Sequence, residues 1–261
     1  MAVARHLHFG RAAAELHIAQ PVLSRQIRAL EQELHTTLLV RDRRRTELTE
    51  AGCRLLADAV PLLRSADALR RRVVQAGRFV VAFMPGLIVT DAVRRLAAAH
   101  PGLTVDVLRT TWADQTEVLH DGRADVGYLR LPVDERGLTV RPLFTEPRVV
   151  VVPREHRLAG KESTGIADLA GEHLLQDPAA VPEWRGSASP IRYAAVEEKL
   201  EHVAAGRGVA ILPLSTAQFY TRQDLAHVRI DDIPDNQVAL AWRPGRRDAL
   251  VDEFTELAAG A

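Results

Sequence analysis

Between residues 17 and 34 the chain reads HIAQPVLSRQIRALEQEL, and two sets of side chains interleave in it. Leu23, Ile27, Leu30 and Leu34 recur at i, i+4, i+7 and i+11, the stripe of an amphipathic helix that packs on a core. Gln20, Pro21, Ser24, Arg25 and Arg28 lie off that stripe. Short hydroxyl and amide groups mixed with guanidinium groups suit the edges of DNA. Gln bonds adenine bidentately, Arg bonds guanine or phosphate, and short side chains let the backbone come close. Scattered polar residues also line ordinary solvated helix faces, so the elements around this helix decide between the two readings. Arg43 and Arg44, in the basic turn DRRR at 42–45, are placed for phosphate or a minor groove.

Other chemistry finds no set of residues to carry it. Cys53 is the one cysteine and falls in a helical stretch, no phosphate-binding loop is present, and Gly206-Arg207-Gly208 reads as a helix-to-strand turn. His6 and His8 have no Cys or further His at ligand spacing and read as packing or surface histidines, so no metal and no other cofactor is expected. The chain is read as a protein that is not an enzyme.

The elements that would position the polar helix face follow from local signals. GRAAAELH (10–17) reads as a short helix with small residues inward, and Pro21 suits the first turn of the next helix. LLVR (38–41) and TEL (46–48) flank the basic turn as a small hairpin, completing a winged helix-turn-helix. Thr49 is an N-cap, and a helix runs from there to about Gln75, where Gly77 ends it. Within it Leu55, Ala59, Leu62, Ala66, Leu69 and Val73 are spaced 4, 3, 4, 3, 4, an a/d seam that either pairs with a second copy or packs on the chain's own core. Pro61 inside this helix is expected to bend it.

From Arg78 onward short apolar runs alternate with helices: FVVAF (79–83), LTVDVL (103–108), DVGYL (125–129), RVVVV (148–152), HLLQ (173–176), VAIL (209–212) and QVALAW (237–242), with a terminal helix from about Arg247. Runs buried on both faces with helices between indicate mostly parallel α/β sheets. The expected layout is a winged helix-turn-helix over 1–48, a linker and dimerisation helix over 49–77, and a two-lobed α/β domain over 78–261. Lobe I takes 78–152 and 237–261; lobe II takes 153–236.

The totals agree with this division. The chain has 261 residues, 47% of them apolar, and a formal net charge of zero, yet residues 1–77 hold 13 Lys+Arg against 8 Asp+Glu while the remainder holds 21 against 26. The basic part is the part with the polar helix face. Two lysines, Lys161 and Lys199, stand beside 32 arginines, so arginine abundance alone says little about phosphate. A single cysteine rules out an internal disulfide framework. No signal-peptide pattern opens the chain and no uncharged apolar run approaches ~18 residues, so a cytoplasmic protein without a membrane span is expected.

These stretches carry a resemblance. HFGRAAAELHIAQPVLSRQIRALEQEL, the hairpin and LTEAG (48–52) closely resemble the DNA-binding domain of LysR-type transcriptional regulators. HPGLTVDV (100–107), DGRADVGYL (121–129), VVVVPREHRLAG (149–160) and VAAGRGVAILP (203–213) are similar to the family's effector-binding domain. The resemblance runs in order along the whole chain. It implies an α+β multidomain fold whose C-terminal lobes are periplasmic-binding-protein-like. It also implies base and phosphate contacts at Gln20, Pro21, Ser24, Arg25 and Arg43, and a homodimer, commonly within a homotetramer, on double-stranded promoter DNA. A small-molecule effector between the lobes would then alter recruitment of RNA polymerase.

In open α/β sheets ligands sit beyond the carboxyl ends of strands. Those places are Met84 and Pro85, Thr111 and Trp112, Arg130, and Val196 with Glu197. Family members that bind carboxylates often have small hydroxyl residues at the first two spots. Met84-Pro85 and Trp112 here point instead to a flatter apolar or aromatic compound, with lobe packing the other reading of Trp112. The resemblance further implies that the family's first helix begins upstream of Met1, so that a longer in-frame start is expected. The alternative function is a cytoplasmic small-molecule-binding protein whose shortened DNA-binding domain is inactive.

Overall fold

The computed structural model describes residues 1–41, 46–74, 77–189, 193, 195–244 and 248–260. Its contacts divide the chain into two units, Met1–Arg70 and Arg71–Ala261.

The first unit begins with α1 (Ala2–His6), α2 (Phe9–Glu15) and α3 (Gln20–Glu33). The antiparallel hairpin β1 (Leu39–Arg41) and β2 (Thr46–Leu48) follows, and then α4 (Glu50–Val74). Ala2, Val3, Phe9, Ala12, Ala13, Leu23 and Leu39 form its core, with Ile18, Ile27 and Leu48 packed against it. Alanines at 12 and 13 let the short helices approach closely. The expected stripe on α3 is covered only in its first half, since Leu30 is 37% and Leu34 42% exposed. The core meets α3 at Leu23 and Ile27, and nothing in this cluster reaches the next turn.

Two polar side chains fasten the hairpin. The Glu31 carboxylate accepts from the Leu38 and Leu39 amides at 2.8 and 3.2 Å, tying α3 to β1. The Thr49 hydroxyl accepts from the Gly52 amide at 3.0 Å and donates to the Thr37 carbonyl, so Thr49 caps α4 as its sequence position predicts. α4 continues through Pro61 as one 25-residue helix. Along its seam Leu55 and Ala59 are half-buried, Ala66 is exposed and Leu62 is 70% exposed; the side chains of Leu69 and Val73 lie outside the described residues.

The second unit holds two larger sheets and one short two-stranded parallel pair. In chain order its elements are β3 (Arg78–Phe83), α5 (Thr90–Ala99), β4 (Thr104–Arg109), α6 (Glu117–His120), β5 (Val126–Arg130), β6 (Thr139–Glu146), β7 (Arg148–Pro153), β8 (Ser163–Thr164), β9 (His173–Leu174), β10 (Ser187–Ala188), α7 (Val196–Ala204), β11 (Ala210–Pro213), α8 (Leu214–Phe219), β12 (Leu225–Ile230), β13 (Asn236–Trp242) and α9 (Asp248–Ala259). One larger sheet has the order β4-β3-β5-β13-β6 and the other β11-β7-β12-β8.

Both sheets are mixed, not mostly parallel as expected. β3 runs parallel to β4 and β5, but β13 is antiparallel to both its neighbours, and β7 is antiparallel to β11 and β12. The unbroken valine run still has the anticipated cause: Val150 and Val152 face one apolar cluster, Val149 and Val151 another. That run is the centre of the second sheet, so the chain crosses between lobes at Pro147 and not near 153. It returns between Ile230 and Asn236.

Lys199 interrupts the inward stripe Val196, Leu200, Val203 of α7, and burial pulls its amine from the usual 10.5 to about 8. The unfolded chain therefore holds more protons than the folded one between about pH 8 and 10.5. Stability rises with pH through that window, while below it both states are charged and the full penalty remains. Lys199→Met is expected to raise the melting temperature at pH 7 by several degrees, with a gain that shrinks from pH 8 to 10 in a calorimetric series.

Candidate DNA-reading face and inter-lobe site

α3 starts at Gln20 behind Ala19, which contributes no side-chain cap, and Pro21 sits in its first turn. Pro21 brings no amide to this turn, and the Val22 and Leu23 amides donate to the Ala19 carbonyl at 3.0 and 3.2 Å, so what the helix start offers an acceptor such as phosphate is its positive dipole end. Gln20, Pro21, Arg25 and Arg28 are exposed and Ser24 is half-buried. Pro21, Arg25 and Arg28 lie on the side of α3 away from the buried Leu23, with Ser24 at its flank and Gln20 at the helix start. Arg43 and Arg44, in the turn of the hairpin, lie outside the described residues.

Between the two sheets the polar groups converge on Arg130. It is 1% exposed at the end of β5, and its backbone amide donates to the buried Gln115 side chain at 2.9 Å. Its guanidinium pairs with Glu146 and donates to Ser215 Oγ at 2.9 Å, the Pro85 carbonyl at 3.2 Å and Asn236 Oδ1 at 3.3 Å. Burial lowers the pKa of Arg130, and the Glu146 charge opposes that shift. Glu146 also accepts from the Ser215 amide at 2.9 Å, and Thr216 Oγ1 donates to the same Pro85 carbonyl at 3.1 Å. Pro85 belongs to the first lobe, Ser215 and Thr216 to the second, and Arg130 joins them.

A second junction lies at the end of β4. Arg109 donates to the Tyr220 hydroxyl at 2.9 Å and pairs with Glu197 at 3.5 Å. These side chains are substantially exposed, unlike those around Arg130.

The residues expected at the site divide accordingly. Pro85 and Arg130 are joined directly, and Glu197 takes part in the second junction. Trp112 is 45% exposed and does not pack into a lobe core. The Thr111 hydroxyl and amide both donate to Asp114, at 2.8 and 2.6 Å, so this threonine closes a local turn. Met84 corrects the expectation: it is 7% exposed and belongs to the first lobe's core. An unbranched apolar side chain at a strand end gains more from burial than from facing a polar seam. Val196 likewise leans on the second lobe's core. Sequence reasoning missed Arg109, Glu146, Ser215 and Tyr220. Position beyond a parallel strand's carboxyl end could have flagged Arg109, but the others come from the far lobe or the crossing.

Among the described residues no three His, Cys, Asp or Glu are grouped to hold a metal ion, and no helix is long and apolar enough to cross a membrane.

A winged helix-turn-helix followed by two lobes closed on a polar seam defines a ligand-responsive DNA-binding regulator. The chain belongs to the LysR family. Residues 1–53 match the model described as bacterial regulatory helix-turn-helix protein, lysR family, and residues 73–261 match the LysR substrate binding domain. It is 30% identical to the Hca operon transcriptional activator HcaR of Escherichia coli, over 97% of this chain and 93% of that protein. It is 33% identical to a probable hydrogen peroxide-inducible genes activator of Streptomyces viridosporus, over 99% and 89%. Full-length BenM shares its fold with a TM-score of 0.57 at 26% identity, covering 99% of this chain and 93% of that one. CbnR in complex with its target DNA matches with a TM-score of 0.53 at 25% identity, covering 98% and 96%. The protein is a LysR-type DNA-binding transcriptional regulator with an effector-binding domain, and the matched relatives are named as regulators, not enzymes. The match over 1–53 does not favour the alternative of a binding protein with an inactive DNA-binding domain.

Proposed function

We propose that α3 is the recognition helix of this regulator, with Gln20, Pro21, Ser24, Arg25 and Arg28 in a major groove and the wing residues Arg43 and Arg44 on the flanking backbone. The observation that carries this reading is the exposed guanidinium groups of Arg25 and Arg28 on the helix side away from Leu23, together with exposed Gln20 at the helix start. The domain layout is a winged unit over 1–48, a linker helix over 49–77 and an effector domain over 78–261. The α4 seam, with Leu55, Ala59, Leu62, Ala66, Leu69 and Val73, pairs two copies, and exposed Leu62 favours this over packing on the chain's own core. Homodimers, assembling into homotetramers, place two recognition helices on one stretch of promoter DNA. The effector sits between the lobes near Pro85, Thr111, Trp112, Arg130 and Glu197. By binding one assembly geometry more tightly than another, it shifts the population and with it contact to RNA polymerase. A protein that works on the chromosome in this way acts in the cytoplasm.

The test is a salt-dependent titration of the full chain on the DNA upstream of its own gene. Arg25→Ala is expected to weaken specific binding by about 5- to 150-fold, the effect of about 1–3 kcal/mol per good base contact, while random DNA is bound nearly as before. An equal loss on both DNAs, with a salt slope reduced by about one, makes Arg25 a phosphate contact instead. Unchanged binding to both sinks the assignment of α3.

A further inference from the structure

We propose that the effector is an uncharged compound bearing an acceptor oxygen, because among the described residues the guanidinium groups that span the inter-lobe seam, Arg109 and Arg130, each already face a carboxylate of the chain itself. This rests on the placement of the effector between the lobes. Arg130, deeply buried there, is paired with Glu146, and Arg109 is paired with Glu197. Each pair stands at a junction between lobes, Arg130 through Pro85 and Ser215, Arg109 through Tyr220 and Glu197. A carboxylate ligand would bridge the lobes by occupying such guanidiniums. Glu146 holds that role inside the buried seam and Glu197 stands beside Arg109, so an incoming anion would meet a carboxylate at either place.

What remains is hydrogen-bonding capacity without charge. Among the described residues Arg130 Nε is the one buried side-chain nitrogen or oxygen with no partner, and it lies at the same seam. A carbonyl or ether oxygen satisfies that donor as the lobes part, whereas a second anion beside Glu146 does so against like-charge repulsion. Exposed Trp112, beyond the end of β4, offers an apolar surface near the Arg109 junction.

The full chain is titrated with benzoate and with benzamide, which matches benzoate in shape without its charge. Wild type, Glu197→Gln and Glu146→Gln are compared by thermal unfolding, with hydrogen exchange read over 84–88 and 214–220. Glu197 is exposed, so its variant keeps the test open if Glu146→Gln folds poorly. The expected result is no saturable benzoate shift in wild type, and at least a tenfold gain in benzoate affinity in one variant, with slowed exchange in those two segments. A wild-type shift larger for benzoate than for benzamide, or no gain in either variant, overturns the proposal. Slowed exchange confined to other segments overturns the placement of the effector site and the proposal with it. The exchange map thus separates that failure from a failure of the charge argument alone.

Discussion

Arg130→Met is expected to cost about 3–5 kcal/mol of stability, the usual penalty for removing one partner of a buried ion pair. In a unit of this size that corresponds to a fall in melting temperature on the order of 10 °C by calorimetry. The penalty comes chiefly from Glu146, whose buried carboxylate loses its cation partner and retains the Ser215 amide at 2.9 Å as a close donor. The Pro85 carbonyl and Ser215 hydroxyl lose a donor as well. Replacing both partners, as Arg130→Met with Glu146→Leu, removes the stranded charge and is expected to recover much of the loss. A double variant no more stable than the single one would place the cost in lost shape and not in electrostatics.

Gly86→Ala is expected to be a strongly damaging change at the contact between the lobes. Its backbone has φ +87°, and a Cβ there would lie 2.6 Å from the Ser215 carbonyl carbon and oxygen and 2.7 Å from the Thr216 amide nitrogen. Left-handed backbone alone costs an L-residue about 1–2 kcal/mol. The clash adds overpacking on the order of 1–3 kcal/mol, and the obstacle is backbone that cannot rotate aside. Gly160→Ala is the control, since Gly160 has φ +86° with open space around its Cβ. The difference between the two melting temperatures isolates the contact between the lobes. Faster exchange of the Ser215–Tyr220 amides in Gly86→Ala alone would show that the lobes have been pried apart. Equal losses in both variants would mean that the close approach contributes nothing.

Much of the fold is legible because local signals carry it. The period of Leu23 and Ile27 with Pro21 gives α3, Thr49 gives the start of α4, and four valines in a row give a strand buried on both faces. What those valines cannot state is which sheet they enter, so the crossing at Pro147 was not legible. Thr139–Glu146 was missed as a strand because Pro142 removes a ladder donor. The structure tolerates it at the sheet edge, where the register with β13 slips between Val238 and Ala239 and skips Leu143. At the candidate site Arg130 was legible from its place at a strand end. Its partners were not, since Glu146, Ser215 and Asn236 lie 16, 85 and 106 residues away and no local pattern links them.

The position of β13 bears on how the protein is made. It lies between β5 and β6 in the first sheet, yet it is the last strand to be synthesised. While the ribosome is still adding residues up to 235, β5 and β6 have no shared neighbour, and Phe79 and Tyr128 lack the ring of Phe254 that later packs on both. The second sheet, drawn from β7, β8, β11 and β12, is already complete in sequence by Ile230. The lobe encoded later can therefore close first. The lobe encoded earlier waits for the carboxyl end, exposing two strand edges that invite chaperones or aggregation. A premature stop beyond residue 230 would spare the younger lobe and forfeit the older one.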